Sequence, residues 1–217
     1  MAETVAPEPG LRERKKQRTR ERIAETARRL FAERGFDRVT VAEVAREAEV
    51  SEQTVFNYFP TKEDLVYWRL ESFEDEMLST IRDRDPGESV LQAFGRFVLR
   101  RRGLLASQDP EARERLVELT RTITESPALL ARERQIFDRY TASLAALIAE
   151  QASADADDVT PSVVANALIG VHRALVDHTR ARIVAGAPSA RIARDVQAQG
   201  ERALAALERG LGSYGVR

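Results

Sequence analysis

The stretch Thr19–Lys62 decides the fold of this 217-residue chain, and it reads TRERIAETARRLFAERGFDRVTVAEVAREAEVSEQTVFNYFPTK. Its first part carries one apolar stripe at the i, i+4, i+7 and i+8 positions of an amphipathic helix: Ile23, Ala27, Leu30 and Phe31. Gly35 is expected to end that helix, because glycine takes the left-handed position after a last turn without steric cost.

Two very short helices follow in the pattern. Thr40 and Glu43 are spaced as a capping box that opens the second helix, and Ser51 caps a third that runs to Phe59. Pro60 then stops the chain from continuing as a helix. Two short helices joined by a tight turn and covered by the first helix leave the third free to project, as in a helix-turn-helix.

Charge is distributed unevenly. The whole chain carries a net charge of −1, yet nine Lys and Arg residues face three Glu residues between Leu11 and Leu30, a local charge of +6. Such a cluster suits one polyanion-facing surface, although a solvated helix face has the same composition. The chain has no Cys and no apolar run of membrane-spanning length, which favours a cytoplasmic protein.

The remaining sequence predicts helices and no strands. A fourth helix is expected at about 62–81, DRDPG at 83–87 breaks it, and five more are expected at 88–106, 110–124, 127–151, 161–185 and 189–211. The predicted fold is therefore all-α with nine helices. The expected organisation is a disordered tail at 1–10, a helix-turn-helix domain at 11–62, a connecting helix at 63–84, and a ligand-binding and dimerisation domain at 85–217.

The third helix is the candidate for reading DNA. Its polar side chains suit hydrogen bonds to base edges, and the three assigned to that role are Gln53, Thr54 and Asn57. Hydroxyl and cationic groups near helix ends, and arginines of the basic arm, suit phosphates: Thr40, Tyr58, Lys62, Arg18 and Arg20. A cation at the start of a helix opposes the helix dipole, so Lys62 is expected to meet an outside anion.

These residues resemble the DNA-binding domain of TetR-family bacterial regulators. The matching pieces are Leu30-Phe31, Arg34-Gly35-Phe36, Thr40, Val44-Ala45, Val50-Ser51, Tyr58-Phe59 and Thr61-Lys62. The resemblance implies a dimeric, ligand-responsive regulator, expected to be a repressor, that binds a palindromic double-stranded DNA operator. It also implies phosphate contacts by Ser51 and by Thr54, although Thr54 is in addition a candidate base reader. Glu49 stands where the family usually has Gly, and Phe56 stands where it usually has Tyr.

The run ESPALLARERQIFDRY at 125–140, followed by a long helical pair, is similar to the C-terminal domains of an actinobacterial TetR group linked to acyl-CoA-like or unknown ligands. The second half of the chain predicts a helical bundle with a pocket for an apolar small-molecule effector that has a polar or anionic end. The candidate lining residues are Phe94, Phe97, Arg101, Phe137, Tyr140, Leu144 and His172. Aromatic residues at helical spacing belong to the core far more often than to a ligand site, and each polar residue could equally be exposed or internally bonded.

No metal or cofactor is expected, because the two His residues are six apart and no carboxylate–histidine cluster accompanies them. Small residues at 165, 167, 170 and 174, and at 193, 198, 203, 205 and 206, predict a homodimer through the last two helices. Two other functions stay open at this point. One is an effector-independent DNA-binding or helical scaffold protein, and the other is a helical-bundle enzyme.

Overall fold

The computed structural model describes residues 10–100 and 110–211, and every regular element in those ranges is helical. The chain divides into two compact units, Met1–Trp68 and Arg69–Arg217. No helix in the described ranges is long and apolar enough to span a membrane.

The first unit contains four α-helices. They are α1 (Leu11–Arg34), α2 (Val41–Glu47), α3 (Glu52–Tyr58) and α4 (Asp64–Tyr67). Helix α1 packs against α2 and α4, and α2 packs against α3. The predicted stripe of α1 is buried, with Ile23 and Ala27 fully covered, and Gly35 ends the helix with a φ of 82°. The basic segment is itself helical, because α1 begins at Leu11.

The core of this unit is built from residues that the pattern identified. Val44 of α2, Val55 of α3 and Phe59 just after α3 are all buried, where α2 packs against both α1 and α3. The rings of Phe31 and Phe36 meet edge to face with their centroids 5.0 Å apart. Burial of these side chains holds two helices of seven residues each, which are too short to be stable alone.

The predicted single helix at 62–81 is wrong. The structure has α4, a 3₁₀ turn at Trp68–Leu70 and α5 (Glu71–Arg82), which gives ten α-helices in the described ranges instead of nine. Leu65 is buried in the first unit, whereas Met77 and Ile81 are buried in the second. The tighter 3₁₀ geometry, common in connectors, lies where the chain passes from one unit to the other.

The second unit continues with five helices. They are α6 (Val90–Val98), α7 (Pro110–Glu125), α8 (Pro127–Ala152), α9 (Thr160–Val184) and α10 (Ser189–Leu211). Helix α6 is shorter than the predicted 88–106. A capping box between Ser89 and Gln92 fixes its start, and the Arg100 amide donates to the Phe97 carbonyl, which tightens the last turn.

Helix α9 is the centre of this unit, since it packs against α6, α7, α8 and α10. Its inner face carries Ala165, Leu168 and Ile169, which are almost entirely buried. Helices α6 and α10 also approach closely: a Cβ atom on Gly200 would lie 2.3 Å from a methyl carbon of Leu99. A side chain at Gly200 would therefore have to displace the side chain of Leu99, the residue that follows α6.

Candidate nucleic-acid interface and effector region

The turn between α2 and α3 is fixed by backbone geometry. Glu49 lies in the left-handed region with φ 53°, and the Val50 amide donates to the Ala45 carbonyl over 2.9 Å. This bond closes the end of α2 in the manner of a Schellman motif. Glu49, which stands where the family usually has glycine, thus has a positive φ. That backbone conformation is unfavourable for a residue with a side chain.

Side-chain caps define where α2 and α3 begin. The Glu43 amide donates to the Thr40 hydroxyl over 3.2 Å, while the Thr40 amide donates to the Glu43 carboxylate over 2.8 Å. The bond from the Thr40 amide, followed by a 2.6 Å bond from Arg34, lowers the pKa of Glu43 from 4.5 to about 2. At α3 the Thr54 amide donates to the Ser51 hydroxyl over 3.1 Å. The predicted caps are confirmed.

Helix α3 presents an amide pair on the side opposite its buried face. Val55 is 1% exposed and faces the core, whereas Gln53 and Asn57 are both exposed. The Gln53 side-chain amide donates to the Asn57 side-chain carbonyl over 3.1 Å. Thr54 is half-buried, and its hydroxyl lies 2.8 Å from the Ser51 hydroxyl. Two of the three predicted base readers are therefore brought together, and the third supports the helix cap.

Phe56 is the feature of α3 that the sequence-based assignment passed over. Phe56 is large and apolar, yet it is 43% exposed. Residues three apart lie on the same side of a helix, and Phe56 comes three residues after Gln53. The helical period of the sequence could therefore have identified Phe56 as part of the outer surface of α3.

The predicted phosphate contacts lie around this helix with different partners. The hydroxyls of Thr40 and Ser51 take part in the caps, and Tyr58 is half-buried at the last residue of α3. Arg18 is exposed on α1. Arg20 is half-buried, with its guanidinium carbon 5.6 Å from the ring centre of Phe59.

Lys62 has an internal partner that the sequence did not indicate. Its ammonium donates to the Phe36 carbonyl over 2.6 Å and lies 4.2 Å from the centre of the Phe36 ring. Helix α4 begins only at Asp64, so Lys62 lies outside its first turn. An unfavourable interaction with the helix dipole is therefore not a reason to expect an outside anion at Lys62. Burial lowers the pKa of Lys62, while the charge of Asp37 acts in the opposite direction. An ammonium has three donors, so a phosphate contact remains compatible with this bond.

Several of the predicted effector-binding residues lie around Phe73. The sequence pattern places Phe73 on the connecting helix, and Phe73 is not among the predicted lining residues. The ring of Phe73 stacks on His172 at 4.6 Å and on Tyr140 at 5.4 Å, and it meets Phe97 edge to face at 5.0 Å. Phe137 closes the cluster, 5.6 Å from His172. Phe94 and Leu144 are buried in the same unit, and Arg101 lies outside the described residues.

Tyr140 connects this cluster to the 3₁₀ turn. Its hydroxyl donates to the Leu70 carbonyl over 2.8 Å, and burial raises the pKa of the phenol well above its ordinary value. A neutral phenol is the form that can donate this bond. The aromatic cluster is therefore tied to the first residues of the second unit.

A buried ion pair joins α8 to α9, and no sequence pattern pointed to it. Arg180 grips Glu133 with both terminal nitrogens, one of them at 2.6 Å from a carboxylate oxygen. Only 15% of the Arg180 side chain and 11% of the Glu133 side chain are exposed. The two residues are far apart in the sequence, and pairing at such a distance has no periodic signature.

The small residues of the last two helices have different fates. Ala165 is buried inside the unit, whereas Gly170 and Ala174 are exposed on α9. Val163, on the same helix, is 55% exposed. On α10 the exposed members are Ala198, Ala205 and Ala206.

Comparisons with known proteins agree with this arrangement. Residues 23–67 match the family described as bacterial regulatory proteins, tetR family, and residues 88–212 match the MftR C-terminal domain. The regulator TcmR of Streptomyces glaucescens is 29% identical over 69% of this chain and 67% of its own length. The regulator MftR of Mycobacterium tuberculosis is 27% identical over 76% of this chain and 81% of its own length.

Among solved structures, that of NalD from Pseudomonas aeruginosa has a TM-score of 0.55 at 20% identity and covers 90% of this chain and 96% of its own. That likeness supports the fold, while the sequence relatives are transcriptional regulators and not enzymes. The first match covers the helix-turn-helix, and the second alone covers more than half of the whole chain. The chain belongs to the TetR family of bacterial transcriptional regulators.

Proposed function

We propose that this regulator represses transcription in the cytoplasm by reading a palindromic operator with α3, and that a small-molecule effector in the second unit releases it. TetR-family regulators bind DNA operators, form dimers and bind small-molecule effectors. The observation that carries the proposal is the exposed amide pair of Gln53 and Asn57 on a helix whose opposite face is buried.

The amide pair supports base reading because each side chain offers a donor and an acceptor. Amides of this kind bond adenine edges in the major groove, which is wide enough for an α-helix. The caps at Thr40 and Ser51 hold α2 and α3 in place before DNA arrives. The exposed cations of the first turns of α1, including Arg18, add sequence-independent attraction to phosphates.

The test begins with selection of an operator from random DNA by the full-length protein. Gln53→Ala or Asn57→Ala should then cost roughly 1–3 kcal/mol of binding and relax the preference at one base position. Gln135→Ala is the matched control, since Gln135 is an exposed amide on α8 in the second unit. If both α3 variants bind the selected operator as the parent does, α3 is not the reading helix.

The dimer is proposed to form through α9 and α10. The exposed Gly170 and Ala174 let a second copy approach closely, and the exposed Val163 adds apolar area. Gly170→Arg should give monomers that bind DNA weakly, whereas Ala146→Arg, on the exposed surface of α8, should leave the dimer intact. Sedimentation that finds the parent monomeric at micromolar concentration would remove this part of the proposal.

The effector is proposed to be mainly apolar with one polar or anionic end, and to bind at the cluster around Phe73. Phe97 and Phe137 offer apolar area there, while Tyr140 and His172 offer directed polar groups. A ligand that displaces Tyr140 breaks its bond to the Leu70 carbonyl in the 3₁₀ turn. The shift in operator binding is limited by the difference in effector affinity between the two states.

Thermal shift and operator release with acyl-CoA thioesters, fatty acids and aromatic drugs test this part. Tyr140→Phe keeps the ring and removes the hydroxyl, so it should alter release while preserving the fold. A protein that selects an operator but responds to none of these compounds would favour the effector-independent alternative.

A further inference from the structure

We infer that Phe56 is a base-reading residue that contacts the C5-methyl group of a thymine in the major groove. The inference rests on the proposed function of α3 and names a contact that neither the amide pair nor the phosphate-binding groups supply. Its starting point is exposure: Phe56 is the large hydrophobic side chain that stands exposed, at 43%, in the described part of the first unit.

The position of Phe56 on α3 places it beside the amide pair. An α-helix turns by about 100° per residue, so Asn57 projects about 40° from Gln53 and Phe56 about 60° from it on the other side. Val55 projects about 160° from each of the two amides and about 100° from Phe56, and it is only 1% exposed, whereas Phe56 is 43% exposed. The ring is thus on the same outward surface as the two amides and next to Gln53.

The chemistry of the ring selects its partner on DNA. A phenyl group has no hydroxyl or charge with which to bind a phosphate. The major groove carries one apolar feature, the thymine methyl group, and Phe is among the side chains suited to contact it. Phe56 lies next to an exposed amide pair, on the unit that carries the +6 segment. The thymine methyl group is therefore the partner that this surface fits.

The test uses the full-length protein and the operator that it selects. Each thymine is replaced in turn by deoxyuridine, which removes only the methyl group, and the dissociation constant is measured at fixed salt. One thymine in each half-site should weaken parent binding about fourfold when replaced, the effect of losing about 0.8 kcal/mol for one buried carbon group. Replacing both symmetry-related thymines should weaken it about fifteenfold.

Two variants make the assignment specific. Phe56→Ala should weaken binding to the thymine operator and bring the ratio of uracil to thymine dissociation constants close to one. Asn57→Ala should also weaken binding but keep the parent's ratio, because it removes an amide and leaves the ring in place. Fluorescence of Trp68, the single Trp of the chain, checks that the first unit remains folded in each variant.

The outcomes separate this inference from the proposed function. Failure of the parent to select any sequence would overturn the proposed function itself. Selection of an operator in which no thymine replacement matters would leave that function standing and overturn the role of Phe56. Equal losses by Phe56→Ala on thymine and uracil operators would place the ring on the sugar–phosphate backbone and overturn it as well, as would unchanged binding by Phe56→Ala.

Discussion

Replacement of Glu49 by glycine should stabilise the DNA-binding unit. Glu49 is exposed, sits between α2 and α3 and has φ 53°. A left-handed conformation costs a residue with a Cβ atom roughly 1–2 kcal/mol. Glycine lacks this cost, but it loses about 0.5–1 kcal/mol more backbone entropy on folding than a residue such as alanine. The net gain expected for Glu49→Gly is therefore about 0.5–1 kcal/mol.

The assay follows urea unfolding of the full-length protein by the fluorescence of Trp68. This is the single Trp of the chain, and it lies in the first unit. The midpoint should rise at an unchanged slope, and the melting temperature of the unit should rise by about 2–8 °C. Glu49→Ala is the matched control, because it removes the carboxylate but keeps the Cβ atom, and it should give little or no gain.

A converse substitution tests the same physics. Gly35 ends α1 with φ 82°, and a Cβ atom there would meet only the Arg38 side chain at 3.7 Å. Gly35→Ala should therefore destabilise the unit by about 1 kcal/mol through backbone conformation and not through a clash. If Glu49→Ala stabilises as much as Glu49→Gly, charge is the cause and the argument from φ is refuted.

Three other changes have defined outcomes. Lys62→Met should weaken binding to all DNA sequences and reduce the slope of log affinity against log salt by about one; a loss confined to the operator at an unchanged slope would contradict a phosphate contact. Glu43 has a folded-state pKa of about 2, below its ordinary 4.5, so its stabilising contribution is present above pH 4.5 and is lost as pH falls towards 2. The difference in unfolding free energy between the parent and Glu43→Gln should shrink over that range, and a difference that stays constant with pH would exclude this linkage. Glu133→Leu should destabilise the second unit by roughly 3–5 kcal/mol, because the largely buried Arg180 guanidinium loses its two bonds to the Glu133 carboxylate, and Arg180→Met in the same chain should recover most of that loss. Circular dichroism of thermal unfolding checks this pair, and equal melting of the single and double variants would count against it.

Local sequence rules were sufficient for the starts of α2 and α3 and for the end of α1. The cap pairs, such as Thr40 with Glu43, lie three residues apart, so the whole signal is contained in one helical turn. The same holds for the end of α1 at Gly35, where glycine takes the left-handed conformation. Even the strain at Glu49 could be anticipated, because the resemblance showed where the chain departs from glycine.

Features that depend on distant residues could not be predicted in this way. The 3₁₀ turn at Trp68–Leu70 lies between Leu65, which is buried in the first unit, and Met77, which is buried in the second. An amphipathic stripe in the sequence shows that these side chains are buried but not that they belong to two different cores. Phe73 became the centre of the aromatic cluster only because α6, α8 and α9 supply rings to it. Lys62 found its acceptor at Phe36, in the loop after α1, where a dipole argument restricted to one helix could not locate it.

The bond between Gln53 and Asn57 also leads to an expectation about the base that α3 would prefer in the proposed function. The Gln53 amide donates to the Asn57 carbonyl, which leaves the Gln53 carbonyl as an acceptor and the Asn57 amide as a donor. With both amides flipped, the pair would still offer one acceptor and one donor. Adenine alone presents a donor and an acceptor, N6 and N7, on one edge in the major groove, whereas guanine presents two acceptors. If α3 reads bases as proposed, an amide pair that keeps its internal bond should therefore favour adenine over guanine, without a cost for reorganising the two side chains.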